Sequence, residues 1–240
     1  METISLDTVE STNLYAKSHI EELSDKTVVH ARTQTAGRGR LQRKWVDLGE
    51  GNLFMSFVLK PSKEFNNIYS NLTQYLAVVL CRVLETYKLT PKIKWPNDVL
   101  VNGKKIAGIL SETVMQGTLF KGLVLGIGVN LHADNDSVKL VTDKDITALN
   151  MEIGKDVDTG AFRKDLCTCF FSEYNNFLNS GFDAIRGDYL SRACFLGNEI
   201  TVKLFDKELH GIAKMITDNG ELVLTDKNNK DFVLTIGDIL

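Results

Sequence analysis

The sequence is poor in the residues that staple or metallate small proteins. Among 240 residues there are four cysteines, Cys81, Cys167, Cys169 and Cys194, with no Cys-x-x-Cys spacing and no Cys/His pairs at metal-ligand intervals. That excludes a disulfide framework, and the thiols read as reduced and mostly buried in a cytosolic protein. No apolar run approaches the roughly 20 residues of a membrane span, so no membrane partner is expected. The start, METISLDTVEST, has neither a basic stretch nor an apolar core and reads as no signal peptide. Without secretion, the sequons at Asn71 and Asn135 should carry no glycan. A net charge of -3 speaks against a dedicated nucleic-acid binder, whose footprint is a basic domain. Catalytic signatures are equally scarce. The Walker A pattern is missing, and neither Gly37-Arg38-Gly39 nor Gly126-Ile127-Gly128 continues into GxGxxG. There is no serine nucleophile elbow and no HExxH, and His19, His30, His132 and His210 are scattered. A protein nucleophile or a bound zinc therefore has no visible support, and no metal ligands can be assigned.

What is present is an ordinary globular mix, 43% hydrophobic and 25% charged, with one unusual stretch. Residues 33–45 read TQTAGRGRLQRKW. Gly37 and Gly39 let backbone amides approach a ligand closely, and Arg38, Arg40 and Arg43 carry guanidinium forks suited to phosphate or carboxylate. By itself the stretch is either a loop over an anionic small molecule or a solvated basic loop. Downstream, KWPND places Lys94, Asn97 and Asp98 around a proline turn, and Lys105 follows on a returning strand. Lys105 faces solvent or serves as a phosphate clamp opposite the basic loop. Gly126 and Gly128, in an otherwise β-branched strand, mark either a close approach to the backbone or a bulge.

In chain order, residues 4–9 read as extended, and Ser11 or Thr12 as the cap of a helix running towards Leu23. Strands are expected at 27–32 and 53–59, and an amphipathic helix at 68–87 burying Leu72, Tyr75, Leu76, Val79, Val83 and Tyr87. Asn102-Gly103 signals a type I′ hairpin between strands 99–101 and 105–112, and a further strand covers 119–130. Periodicity weakens over 132–158, with a brief helical turn at ITALN. A second helix should bury Phe162, Leu166, Cys169, Phe170, Tyr174 and Phe177 and stop at Gly181, followed by a shorter one to about Ala193. Beyond Gly197, short alternating strands separated by turns such as Phe205-Asp206 and Asn219-Gly220 suggest a small β-barrel. Domains are placed at 1–193 and 194–240.

Taken together, Ser11-Thr12-Asn13, Gln34 with AGRGRLQRKW, GNLFMS, KWPND, KKIAGIL and GIGVN resemble the biotin protein ligase family, in the right order along nearly the whole chain. The resemblance implies an α+β fold: a mixed β-sheet catalytic domain of the class II synthetase kind with helices packed on it, plus a C-terminal SH3-like β-barrel. It implies that biotin is activated with Mg2+ and ATP to biotinyl-5′-AMP and then passed to a lysine of a biotin carboxyl carrier domain. By the same resemblance, Ser11, Thr12, Asn13, Gln34, Gly37, Arg38, Gly39, Arg40, Lys105 and Gly108 bind biotin, while Arg38, Arg40, Arg43, Trp45, Asn97, Lys105 and Asn130 bind ATP or the adenylate. Lys105, Arg40 and Asp98 are the catalytic candidates, with Asp98 either orienting or deprotonating the acceptor lysine or only capping a turn. One well-known form of the motif has glycine where this chain has Gln42, so Leu41 and Gln42 are expected to affect loop stiffness. The pattern begins at Asp7 and leaves no room for a helix-turn-helix, so the monofunctional form without DNA binding is expected. The family contains monomers and side-by-side dimers. Two other readings stay open: a lipoyl or octanoyl ligase or transferase of the same superfamily, and a non-enzymatic nucleic-acid-binding module.

Overall fold

The molecule is seen in a computed structural model that describes residues 2–40, 43–62, 64–142, 144–205 and 207–240. The expectation for Leu41 and Gln42, and the Asp206 half of one turn, lie outside the described residues. β1 (Thr3–Val9) leads through the short helix α1 (Thr12–Ser18) to a parallel neighbour, β2 (Val28–Gln34). Next come β3 (Leu53–Leu59), a 3-10 turn at Asn67–Asn71 and helix α2 (Leu72–Thr86). β4 (Lys92–Lys94), β5 (Asp98–Val101), β6 (Lys104–Gln116) and β7 (Leu119–Val129) form an antiparallel meander. The seven strands order as β1-β2-β3-β7-β6-β5-β4, a mixed sheet. At the hairpin between β5 and β6, Asn102 and Gly103 have φ of 50° and 77°, the left-handed pair that a type I′ turn needs.

Alternation along the strands decides which side the site occupies. On β3, Met55, Phe57 and Leu59 face the helical layer, while Ser56 and Val58 face α1. On β7, Leu125, Ile127 and Val129 join the helical core, leaving Gly126 and Gly128 on the opposite face. The helical layer is α2 together with α3 (Leu149–Ile153), α4 (Thr159–Ser180) and α5 (Arg186–Arg192). Phe57 stacks on Phe170 at 4.2 Å and Tyr75 on Phe177 at 4.6 Å. These rings are fully buried, so truncating any one of them to alanine costs about 3–5 kcal/mol. α4 starts where the Asp158 carboxylate accepts from Ala161 N–H and ends at Gly181, with φ 61°.

Four local expectations are corrected. α1 stops at Ser18; Ile20 and Leu23 still bury against Val29, Val58 and Val124, but from a turn rather than a helix. Ser11 sits at the N-cap without a side-chain capping bond. Cys169 is half-buried, because α4 turns Cys167 towards β3, where its Sγ lies 3.7 Å from Met55 Sδ, and Cys194, beyond α5, is exposed. The strand at Lys92–Lys94 was not expected: it has one apolar residue, Ile93, and is strand only through pairing with β5.

The C-terminal part contains β8 (Glu199–Lys203), β9 (Glu208–Ile216), β10 (Leu222–Thr225), β11 (Asp231–Leu234) and β12 (Asp238–Ile239). Their order is β11-β10-β9-β8-β12, antiparallel throughout. Where a barrel was expected, the end strands β11 and β12 do not pair among the described residues. Val202, Ala213, Leu222 and Leu224 belong to the same buried cluster as α2, and Gln74 Nε2 donates to Gly220 O at 2.8 Å. The second sheet is therefore packed against α2 and shares its core, and β12 reaches the site at Arg40 and Arg43.

Candidate active site

The floor of the site is a patch of sheet without side chains. Gly108 on β6 pairs with Gly128 on β7, and Gly126 lies between Ser56 of β3 and Leu110 of β6. What covers the patch explains it. A Cβ on Gly128 would lie 2.5 Å from Trp45 Cε2, one on Gly108 2.8 Å from Trp45 Cζ3, and one on Gly126 2.0 Å from Asn13 Oδ1. The three glycines thus make room for the indole and for the carboxamide of α1, which settles them as close-approach positions. The Trp45 indole N–H is buried and has no acceptor among the described residues.

Beside this floor is a buried polar cluster at the start of α1. Ser11, Thr12 and Asn13 are each less than 5% exposed. Thr12 N–H and Oγ1–H both donate to Gln34 Oε1, at 2.8 and 3.2 Å. Ser56 Oγ is 2.8 Å from Thr12 Oγ1 and 2.6 Å from Asn13 Oδ1, its single proton serving one of them. Asn13 Nδ2 donates to Glu112 Oε2 at 2.9 Å, and Lys17 Nζ to Glu112 Oε1 at 2.7 Å. Burial pushes the Glu112 carboxyl up, but Lys17, Asn13 and Arg38 outweigh it and hold it below its ordinary value.

The opposite wall is cationic. Residues 37–40 and 43–45 lie against each other: Gly39 N–H donates to Arg43 O at 2.7 Å and Trp45 N–H to Gly37 O at 3.0 Å. Lys105 Nζ donates to Asp98 Oδ1 at 2.6 Å and lies 5.5 Å from the Trp45 ring centre. Burial is the main influence on that ammonium and lowers its pKa, against the opposing pull of Asp98. Arg40 Nη1 is 3.2 Å from Asp238 Oδ1 and 3.5 Å from Asn97 Oδ1, and Arg43 Nη1 is 3.2 Å from Asp238 Oδ2. Both Asp238 contacts are charge pairs and not hydrogen bonds among the described residues, where no donor is aimed at Oδ2 and the Arg40 hydrogen bond goes to Asn97. Asn97 is fixed by its own bonds to β6, Nδ2 donating to Ile109 O at 2.7 Å.

Polar cluster, floor and cationic wall enclose one cavity of about 490 Å³. It is lined by all the expected site residues except Gly37 and Asn130. Gly37 lies behind the loop, where a Cβ would meet Trp45 O at 2.6 Å, and Asn130 is turned away, its Nδ2 donating to Thr147 O at 3.0 Å. Sequence reasoning missed Lys144, Asp145 and Asp238, which also line the cavity. Asp145 O accepts from Lys105 N–H at 2.9 Å, so the stretch of weak periodicity is stitched to β6. The one available signal for Asp238 was a lone carboxylate beside glycine in an apolar run, TIGDIL.

The sequence model described as the Biotin/lipoate A/B protein ligase family matches residues 5–130, more than half of the sequence. The chain belongs to this family. A biotin--[acetyl-CoA-carboxylase] ligase of Paracoccus denitrificans is 35% identical over 221 residues, covering 90% of each protein. The bifunctional ligase/repressor BirA of Bacillus spizizenii is 31% identical over 199 residues; the match takes in 82% of this chain but spans only 61% of that relative's length. Among solved structures, the biotin protein ligase from Aquifex aeolicus in complex with biotin and ATP is 26% identical with a TM-score of 0.84, covering 100% of this chain and 97% of that one. The biotin ligase fold expected for this family member is the fold observed. No helix among its described residues is long and apolar enough to cross a membrane.

Proposed function

We propose that this family member is a biotin protein ligase that joins biotin to ATP and then to a carrier lysine. The observation that carries the reading is the junction, in one cavity, of a buried neutral hydrogen-bonding cluster with three cations, Arg40, Arg43 and Lys105. Biotin is a molecule of that polarity, with a ureido ring at one end and a carboxylate at the other. The ring's N–H and C=O groups pair with Ser11, Thr12 and Gln34, and the carboxylate points to Lys105 and Arg40. Mg-ATP enters as a substrate from the arginine side, its phosphates met by Arg38, Arg40, Arg43 and Lys105. Magnesium enters with the triphosphate, as hard cations do that take phosphate oxygens and few protein ligands.

A carboxylate oxygen of biotin attacks the α-phosphorus, the bond to the bridging oxygen breaks, and pyrophosphate leaves. Both reactants are anions, so the barrier is one of charge and approach. Lys105 and Arg40 lower it by standing where negative charge converges, with no covalent part for the protein. Trp45 covers the apolar and aromatic parts of the adenylate. In the second step a neutral carrier lysine attacks the acyl carbon and AMP departs. Asp98, already beside Lys105, orients the incoming amine and takes its proton.

The lipoyl alternative is weakened by the same cluster. A dithiolane ring brings no N–H or C=O group to the polar cluster of Ser11, Thr12 and Gln34, whereas a ureido ring can join its hydrogen bonds. The deciding experiment supplies labelled biotin or labelled lipoate with Mg-ATP and a carrier domain. Biotin labelling of the carrier is the expected result, and labelling by lipoate alone would sink the reading. The acceptor is a biotin carboxyl carrier protein of a biotin-dependent carboxylase, and the setting is cytoplasmic. The possible homodimer is to be tested by sedimentation. Residues 194–240 act as a small second domain.

A further inference from the structure

The arginines over the cavity are held by a carboxylate from the other sheet. Asp238 opens β12, is 7% exposed, and meets Arg40 and Arg43 at 3.2 Å through different oxygens. Its placement is tightly built. Gly237 has φ 138°, and a Cβ there would lie 2.7 Å from Val202 Cγ1 and 3.0 Å from Leu204 Cδ2, two demands that only glycine meets. The turn at Gly237 lets β12 lie along β8, with Asp238 opposite Lys203 and Ile239 opposite Val202, and Leu240 N–H donates to Thr201 O at 3.0 Å. A carboxylate so buried is costly unless paired, and these two guanidiniums are the cations at its oxygens.

We propose that Asp238 is a positioning residue for the arginine loop, which makes the C-terminal sheet a working wall of the site. It orients Arg40 and Arg43 over the cavity, which reduces the side-chain freedom they lose when phosphate is bound. Each guanidinium keeps donors for phosphate, since a fork has five N–H groups and one carboxylate oxygen engages few of them. Arg43 is tied by charge alone and can turn to a phosphate without losing a hydrogen bond. The inference rests on the reading of the cavity as an adenylation site.

Asp238→Asn removes the charge and keeps the shape, whereas Asp238→Glu keeps the charge, and thermal melting checks that both fold. In ligand-free protein, trypsin cleavage within residues 38–44 should quicken several-fold in D238N and stay near wild type in D238E. With biotin and Mg-ATP, D238N should raise the KM for ATP about tenfold and change kcat less. Combined with Arg43→Gln it should be no worse than the worse single variant. A lower KM for ATP in D238N would mean that the carboxylate competes with phosphate, and would overturn the proposal. Unchanged loop cleavage or full additivity with R43Q would overturn it equally. If wild-type protein makes no biotinyl adenylate while D238N still frees the loop, the biotin reading fails and the positioning role stands.

Discussion

Asp98 and Asp238 both face cations of this cavity, and they are built in opposite ways. Asp98 and Lys105 stand on adjacent strands of one hairpin, β5 and β6, and meet in a 2.6 Å hydrogen bond. Asp238 comes from the far end of the chain and reaches Arg40 and Arg43 at 3.2 Å, with one oxygen lacking any aimed donor. The first pair is rigid because the hairpin fixes both backbones. The second ties a loop to a separate sheet and depends on how the two sheets pack. The difference teaches how each contact is held: Lys105 sits on paired strands, and Arg40 and Arg43 sit on a loop whose partner comes from another sheet.

The largest expected effect breaks the rigid pair. Lys105→Ala should slow biotinyl-adenylate formation by about 10²–10³-fold while altering biotin affinity only a few-fold, as single-turnover kinetics and calorimetry would show. Equal losses in both would demote Lys105 to a support. Asp98→Asn should reduce transfer from preformed adenylate by about 10²-fold and adenylation by less. If both steps fall together, Asp98 serves only to hold Lys105.

A smaller effect tests the floor under the two pairs. Gly128→Ala puts a methyl group 2.5 Å from the present Trp45 Cε2, so the indole must move. About tenfold lower kcat/KM for ATP with a changed tryptophan emission is expected, and unchanged emission would show that the ring has room. The rigid pair also has a pH signature. Burial lowers the Lys105 pKa, so its charge is present at lower pH and lost as pH rises through a value below that of an ordinary lysine. Adenylation should therefore decline early on the alkaline side, and Lys105→Arg, if active at all, should carry that limb to higher pH. The smallest effect lies at Glu112, a third carboxylate, which touches Arg38 at 3.8 Å and holds Asn13 and Lys17. Its folded pKa is depressed, so its stabilisation is present above the unfolded value and disappears as pH falls through the folded one. Glu112→Gln should cost about 1 kcal/mol at neutral pH and nothing in strong acid, by denaturant titration.

Much of the site was legible because its signals are local. The type I′ hairpin follows from Asn102-Gly103, whose conformation few other pairs adopt, and the hairpin delivers Lys105 to Asp98. The faces of β3 were not legible in this way: its run is apolar and buried throughout, so only the packed structure told one side from the other. Gly126 and Gly128 were readable as close approaches or bulges, but which of the two, and against what, needed Trp45 and Asn13 in place. Asn130 shows the limit from the other side. It follows directly on a strand that lines the cavity, yet its side chain is spent on Thr147 O.

By itself, then, the sequence determined most of the strands and helices, though not β4 or β12, together with the hairpin that carries Lys105 and the basic loop, because periodicity, turn chemistry and charge act between near neighbours. It also determined the polar start of α1. The tertiary structure alone decided that this cluster and the cations share one cavity, that α1 stops at Ser18, and that Asp238 holds the loop. Those outcomes depend on packing between segments far apart in the chain, where burial and counter-charge are set by partners that no local pattern names.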